Sequence, residues 1–146
     1  MPAEELEART SQHWPRSASA SKQHAQHIGQ ILLVLSAVRL VYHAKPRYLL
    51  GPSRGGMRLS RARQIMHYLG HVSFGMSYTE LGKLTHRDRT SVAHACQRVE
   101  DLRDDPSIDK GLFFMELSLN LMAKKTIYDV DEKQITPNRL QKLDQE

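Results

Sequence analysis

Hydrophobic residues recur at helical spacing in two short runs between residues 76 and 103, with a polar break between them. Ser77 is a suitable N-cap for the first run, and Glu80, three residues later, completes a capping box. Asp88 is a candidate N-cap for a second, longer helix. Its inward face is predicted to carry Val92, Ala95, Cys96, Val99 and Leu102. Donors, hydroxyls and positive charge remain on the outer side of its first turns, which is typical of a helix-turn-helix that reads the DNA major groove.

Three further amphipathic stretches predict helices around this pair. The first spans about residues 23–44, where Pro46 ends it, the second runs from Ser60 to about Phe74, and the third follows Pro106. The predicted inward stripes are Ile28, Ile31, Leu32, Leu35, Val38 and Val41 or Tyr42 in the first, Ile65, Leu69 and Val72 in the second, and Ile108, Leu112, Met115, Leu119 and Met122 in the third. All of these elements are helical, so the predicted fold class is all-α.

Composition divides the chain into three parts. Residues 1–22 are polar and of low complexity and are predicted to be flexible, although Trp14 lies among them without a clear role. Residues 23–125 are predicted to form one helix-turn-helix domain, and residues 126–146 a weakly ordered tail. Phe113 and Phe114 add apolar surface to the last helix beyond one stripe. That surface either packs on the domain or forms a contact for a homodimer or a protein partner.

The charge distribution favours a polyanionic partner. The net charge is +5, and no Asp or Glu occurs between Ala8 and Thr79. That stretch contains ten basic residues: Arg9, Arg16, Lys22, Arg39, Lys45, Arg47, Arg54, Arg58, Arg61 and Arg63. Most acidic residues follow Glu100, so the basic half is the part expected to meet nucleic acid.

Several other functions lack the residues they need. The single cysteine, Cys96, excludes an internal disulfide and lies on a predicted core face. The histidine pairs at 24/27 and 67/71 have no third ligand nearby, so we expect no metal site and no cofactor. No catalytic triad, carboxylate pair or phosphate loop is evident, so we do not expect an enzyme. There is no signal peptide, and the apolar run Ile31 to Val38 is too short for a bilayer, so a cytoplasmic, nucleoid-associated protein without membrane contact is predicted.

Four strings in the chain carry a family resemblance. They are Ser60-Arg61-Ala62-Arg63-Gln64, Tyr68-Leu69, Leu81-Gly82, and Arg87-Asp88-Arg89-Thr90-Ser91-Val92-Ala93-His94-Ala95-Cys96. Over roughly residues 30 to 105 the sequence resembles the C-terminal DNA-binding domain (domain IV) of the bacterial replication initiator DnaA. No GxxxxGK(S/T) phosphate loop of the initiator's ATPase occurs, so we interpret the chain as a stand-alone domain. The resemblance implies a bundle of the Trp-repressor/DnaA C-terminal type, here with an additional C-terminal helix.

The resemblance and the charge pattern together predict how the domain binds double-stranded DNA. Arg54 or Arg58, in a glycine-rich loop, is expected in the minor groove, as the family uses a basic loop at this place. Phosphate contacts are expected from Arg61, Arg63, Gln64 and His71, with Tyr78 and Thr79 adding backbone or thymine-methyl contacts. The family's residues at Arg63 and Gln64 lie against the DNA backbone, and His71 replaces a frequent Lys. Base edges are expected to meet Arg87, Asp88, Arg89, Thr90 and Ser91, and His94 completes the predicted set.

Two departures from the family pattern affect this hypothesis. The family usually has Gly-Gly before the Arg-Asp pair, whereas this chain has Thr85-His86 with one residue fewer, so a different turn is expected. The family's usual His is here Arg89, which is permanently charged and favours guanine. Transcriptional and replication-origin control both fit. The alternative is a protein-interaction module that keeps the fold and has lost base reading.

Overall fold

A computed structural model of the chain describes residues 18–133, with side chains from 19 to 124. Trp14, most of the segment predicted to be flexible and much of the C-terminal tail lie outside the described residues. The described part contains six helices and no strand, which confirms the all-α prediction. The helices are α1 (Ala18–Tyr42), α2 (Pro46–Leu49), α3 (Met57–Phe74), α4 (Tyr78–Thr85), α5 (Arg89–Leu102) and α6 (Pro106–Lys133). Helices α1 and α6 extend beyond the domain limits predicted at residues 23 and 125.

Helix α3 is the central element, because it packs against each of the other five described helices. Ile65, Met66 and Leu69 are at most 3% exposed and lie in the core. The helix begins at Met57 after Gly56, one turn before the predicted start at Ser60, whose N–H bonds Gly56 O at 3.0 Å. The prediction took the hydroxyl of Ser60 as the N-cap. The helix starts earlier because Gly56 is extended and every residue from Met57 onward tolerates a helical conformation. Arg61, Arg63 and Gln64 therefore lie inside the helix, away from the free N–H groups of its first turn.

The buried face of α1 is rotated from the predicted stripe. Val34 and Val38 are fully buried and Ile31 is 9% exposed, whereas Ile28 and Leu32 are 40% and 54% exposed. The prediction missed Val34 because the unbroken apolar run around it fits several helix faces. Val72 and Met122, predicted to face inward, are also more than 40% exposed. Of the two alternatives predicted for the end of the α1 stripe, Tyr42 packs against the core and Val41 is 53% exposed.

One described helix, Ser19–Tyr42, is long and apolar enough to cross a membrane on length and composition alone, contrary to the sequence-based expectation. Its buried face packs against α3, so its composition is equally that of a core helix. The apolar character of this helix therefore does not by itself indicate a membrane segment.

Helices α4 and α5 form the helix-turn-helix. The capping box predicted for α4 is present: Glu80 N–H donates to Ser77 Oγ at 3.1 Å, and Ser77 N–H donates to Glu80 Oε2 at 2.9 Å. The backbone hydrogen bond from Ser77 lowers the pKa of Glu80, so this carboxylate stays ionised. His86 ends α4 in the left-handed region (φ 55°, ψ 47°), a conformation that glycine adopts most easily.

The turn between α4 and α5 lies directly on the first of these helices. A Cβ at Gly82 would stand 2.4 Å from the backbone oxygen of Arg87, so position 82 has no room for a side chain. The Arg87 N–H also donates to Gly82 O at 2.9 Å. The turn and α4 are therefore held together as one rigid unit.

Arg103, just after α5, joins three helices. Its guanidinium donates to Tyr68 Oη on α3 at 2.6 Å and to Asp109 and Glu116 on α6 at 2.5 and 2.6 Å. Burial by itself would lower the pKa of Arg103, but hydrogen bonds to these three groups raise it. The far side of α6 remains open, since Phe113, Phe114, Leu117 and Leu121 are 44–58% exposed.

Candidate nucleic-acid interface

A solvent-open groove lies between the loop at residues 51–56, helix α3 and the exposed side of α5. We call it the basic groove. Its lining includes four arginines and no acidic residue: Pro52, Ser53, Arg54, Gly55, Gly56, Met57, Ser60, Arg63, Gln64, His67, Arg87, Thr90, Ser91, His94, Ala95 and Arg98. The structure thus brings together seven of the fourteen predicted site residues: Arg54, Arg63, Gln64, Arg87, Thr90, Ser91 and His94. A concave, positively charged surface of this kind attracts a polyanion.

The first turn of α5 stands free in solvent. Asp88, Arg89 and Thr90 are all exposed, which meets the requirement for base reading by this helix start. Asp88 occupies the N-cap position as predicted, but its side chain makes no capping hydrogen bond. The side chain of Asp88 therefore caps nothing in the free protein, and its exposed carboxylate remains available for a base.

One face of α5 continues from this turn along the basic groove. Ser91, His94 and Arg98 are exposed and line the groove together. Arg98 was not among the predicted site residues. The helical spacing 91, 94 and 98 is the signal that identifies it, because residues three and four apart share a helix face.

Arg63 differs most from its predicted role. It is only 9% exposed, and its guanidinium donates to the carbonyls of Leu49 at 3.2 Å, Arg54 at 2.8 Å and Gly51 at 3.3 Å, and to that of Tyr48. These bonds use four of its five N–H donors. The prediction of a free phosphate contact at Arg63 is corrected: most of its donors already hold the loop before the groove. Burial, and then the neighbouring charge of Arg87, lower the pKa of Arg63.

Arg87 also turns towards this loop. Its Nη2 donates to the carbonyl of Gly51, 36 residues earlier in the chain, and the side chain is half-buried. Its predicted contact with a base edge is corrected in part, since one donor is bonded inside the protein while the guanidinium still borders the groove. Neither Arg63 nor Arg87 belongs to an ion pair among the described residues. Both therefore keep their full positive charge.

A buried histidine lies beneath these arginines. His67 is 4% exposed, and its Nε2 lies 2.9 Å from Thr85 Oγ1, which in turn donates to Leu81 O at 2.6 Å. The threonine hydrogen is thus committed, so Nε2–H of a neutral His67 donates to Oγ1. Burial, and then the charge of Arg87, lower the pKa of His67 to about 4. His67 is therefore neutral near pH 7 and contributes structure to the floor of the groove.

Four other residues of the predicted site differ in where they lie relative to the groove. Arg54 is exposed on the groove and Gln64 is half-buried in its lining, whereas Arg58 is exposed but outside the lining. Arg61 is half-buried and lies close enough to Tyr42 that its charge opposes the burial-induced rise in the pKa of that phenol. Of the two loop candidates, Arg54 is the one that borders the groove.

His71, Tyr78 and Thr79 lie outside the lining of the basic groove. His71 Nδ1 lies 2.8 Å from Met76 O, and because a carbonyl only accepts, Nδ1 carries the proton. Its ring lies against Tyr78, with centroids 4.6 Å apart. The prediction of a phosphate contact at His71 is corrected in part, because its Nδ1–H is already bonded within the turn between α3 and α4. Thr79 is exposed.

Cys96 is buried in the core, as predicted. Burial raises the pKa of its thiol to about 11, and the charge of Glu100 adds to the rise. The thiol is therefore protonated and unreactive near pH 7.

A comparison with protein families gives one match. Residues 31–99 match the family described as the bacterial DnaA protein helix-turn-helix. A search of curated proteins finds no match to the chain. Domains of the matched family bind double-stranded DNA and are not catalytic. The matched range contains α2 to α4, the C-terminal half of α1 and most of α5, and it includes the whole lining of the basic groove.

Proposed function

We propose that this chain, whose residues 31–99 match the family described as the bacterial DnaA protein helix-turn-helix, binds double-stranded DNA at specific sequences and regulates transcription or a replication origin. It acts without a cofactor and without catalysis, in the cytoplasm at the nucleoid. DNA binding in general follows from the family. One observation carries the sequence-specific part: Asp88, Arg89 and Thr90 are exposed at the start of α5, next to a groove that Thr90 lines and whose lining contains no acidic residue.

Base reading is assigned to the first turns of α5. Arg89 forks onto guanine O6 and N7, Asp88 accepts from cytosine N4, and Thr90 and Ser91 offer a methyl group or a hydroxyl. The absence of a capping bond at Asp88 supports this assignment, because its oxygens face solvent in the free protein. Arg89 in place of the family's usual histidine shifts the preferred base towards guanine at its step.

Non-specific affinity is assigned to the other exposed cations. Arg98 and His94 follow α5 along the groove and meet phosphates, and Arg54 enters the adjacent minor groove. Arg58 and Arg61, which lie on α3 outside the groove lining, add phosphate contacts. These contacts position the duplex and carry no sequence information themselves.

The test is selection from random duplexes, followed by binding assays on the selected site and on a scrambled site. Arg89→Ala should lose about 1–3 kcal/mol on the selected site and little on the scrambled one. Arg98→Ala is the matched control, a groove arginine on the same helix that should weaken both duplexes equally. Equal losses on both duplexes for Arg89→Ala would remove base reading from this residue.

A protein-interaction module is the alternative function. Phe113 and Phe114, which are 53% and 52% exposed on α6, would then make the contact. The exposed cluster at the start of α5 favours DNA over this alternative. A gel-shift assay on genomic fragments separates them: enrichment of particular fragments supports the proposal, and uniform weak binding supports the alternative.

A further inference from the structure

The loop at residues 51–56 is held mainly by side chains that come from elsewhere in the domain. Pro52 to Gly56 are exposed, and the loop contains bends at its start but no helix or strand. Arg63, from α3, donates to the carbonyls of Gly51 and Arg54. The backbone of the candidate minor-groove residue, Arg54, is therefore fixed by a charged side chain of the central helix.

A second arginine, in the turn before α5, reaches the same loop. Arg87 donates to the Gly51 carbonyl, which therefore accepts from Arg63 and Arg87 at once. A carbonyl oxygen has two lone pairs and can accept both bonds. The backbone of Arg87 is bonded to α4 through Gly82, and the residues that follow it begin α5. The Gly51 carbonyl is thus the point at which the loop and the start of α5 meet.

The positive charges at this junction are not neutralised by a carboxylate among the described residues. Two guanidinium groups share one acceptor, and neither belongs to an ion pair among the described residues. Their repulsion is visible in the pKa of Arg63, which burial lowers first and the Arg87 charge lowers further. A junction with only a structural role could use neutral donors and avoid this repulsion. The retained charge is favourable once a DNA phosphate approaches.

We infer that Arg63 and Arg87 are positioning residues that clamp the loop to the start of α5 and thereby fix the spacing between minor-groove and major-groove contacts. This inference rests on the proposed function. One extra base pair moves the second contact by about 3.4 Å and rotates it by about 35°. A rigid clamp cannot follow that displacement, so the protein reads a composite site of fixed spacing.

The first experiment measures the clamp without DNA. The NMR order parameters of the backbone amides in residues 51–56 are compared in the wild type, Arg63→Lys, Arg87→Met and Arg98→Met, with thermal unfolding as the check on folding. Arg63→Lys and Arg87→Met should each lower these order parameters from about 0.85, the value of rigid backbone, to below about 0.6, because bonds that hold the loop carbonyls are lost. Arg98→Met, a groove arginine with no bond to the loop, should leave them unchanged. Unchanged order parameters in folded Arg87→Met overturn the clamp, whether or not the chain reads DNA sequence.

The second experiment measures spacing on the selected duplex. The A·T-rich step and the base pairs read by α5 are moved apart or together by one base pair, and affinities are compared. The wild type should lose about tenfold or more on the shifted duplexes, since a misplaced contact of 1.4 kcal/mol is a factor of ten. Arg87→Met should reduce that loss, whereas Arg98→Met should weaken all spacings alike. An undiminished spacing loss in Arg87→Met contradicts the inference, while wild-type binding that ignores sequence contradicts the proposed function instead.

Discussion

Arginines are held in two different ways in this molecule. On the side of the basic groove, Arg63 and Arg87 donate to main-chain carbonyls. At the junction of α5 with α6, Arg103 donates to the carboxylates of Asp109 and Glu116. The pKa shifts run in opposite directions: burial lowers the pKa of Arg63, and hydrogen bonds outweigh burial and raise that of Arg103.

The two settings differ in whether the charge of the arginine is neutralised by its partners. Carbonyl dipoles hold a guanidinium in place without cancelling its charge, so the groove keeps its field towards a polyanion. Carboxylates cancel the charge, so Arg103 stabilises the packing of α6 and adds nothing to that field. An arginine's partners, more than its exposure, therefore indicate whether it serves binding. The following predictions test this distinction, from the largest expected effect to the smallest.

The first prediction concerns the rigidity of the turn that carries Arg87. Gly82→Ala should lower the free energy of unfolding by about 3 kcal/mol, because its Cβ would meet the backbone oxygen of Arg87 at 2.4 Å and backbone yields poorly. Urea denaturation measures the loss. Gly111→Ala in α6 is the matched control: its Cβ meets nothing within 4 Å, so it should stabilise by about 0.8–1 kcal/mol. Equal effects at the two glycines would show that the turn is not held tightly.

The second prediction concerns His67, whose low pKa comes first from burial and then from the charge of Arg87. Its pKa in the folded protein, about 4, lies below its ordinary value near 6.5. The unfolded chain therefore binds the extra proton first as the pH falls, and stability declines between about pH 6.5 and 4. The loss at the low end is on the order of 3 kcal/mol. Urea denaturation across this range measures the slope, and His67→Gln should flatten it.

Arg87 should control where that decline occurs. Its charge is one cause of the low pKa of His67, so Arg87→Met should raise this pKa and move the decline to higher pH. Titration of the His67 ring by NMR measures the shift directly. An unmoved pKa in Arg87→Met would mean that the groove charge is neutralised in solution, and the contrast with Arg103 would not hold.

Local features of the site could be predicted from sequence, whereas the arginine contacts could not. Ser77 and Glu80 lie three residues apart, so their capping box is a local pattern. The buried face of α5 is readable for the same reason. Arg63 and Arg87 bond carbonyls 9 to 36 residues away, and a carbonyl belongs to every residue, so no sequence signal marks the acceptor. The face of α1 was misassigned because several faces of its apolar run are equally hydrophobic.

The third prediction compares the two kinds of arginine directly. Arg103→Met should lower the free energy of unfolding by about 2 kcal/mol, because Tyr68 loses its partner and two carboxylates are left together. Its affinity for DNA and the salt dependence of binding should stay at wild-type values while the protein is folded. Arg98→Met should do the reverse, with little change in stability and a salt slope reduced by about one. Fluorescence anisotropy from 50 to 200 mM salt, paired with urea denaturation, tests both variants.

The smallest effect is expected at His86, where the turn departs from the family pattern. His86 ends α4 with φ 55°, a conformation that costs a side-chain-bearing residue about 1 kcal/mol and glycine almost nothing. His86→Gly should therefore stabilise the protein by about 1 kcal/mol in urea denaturation, and His86→Ala, the control, should not. The αL residue directly precedes Arg87, so the direction in which Arg87 points depends on it. If His86→Gly stabilises the fold and leaves the amide order parameters of residues 51–56 unchanged, glycine relieves strain while preserving the turn. If it instead lowers those order parameters, the histidine's restricted backbone is part of what keeps Arg87 on the Gly51 carbonyl, and the strain in the turn supports the clamp.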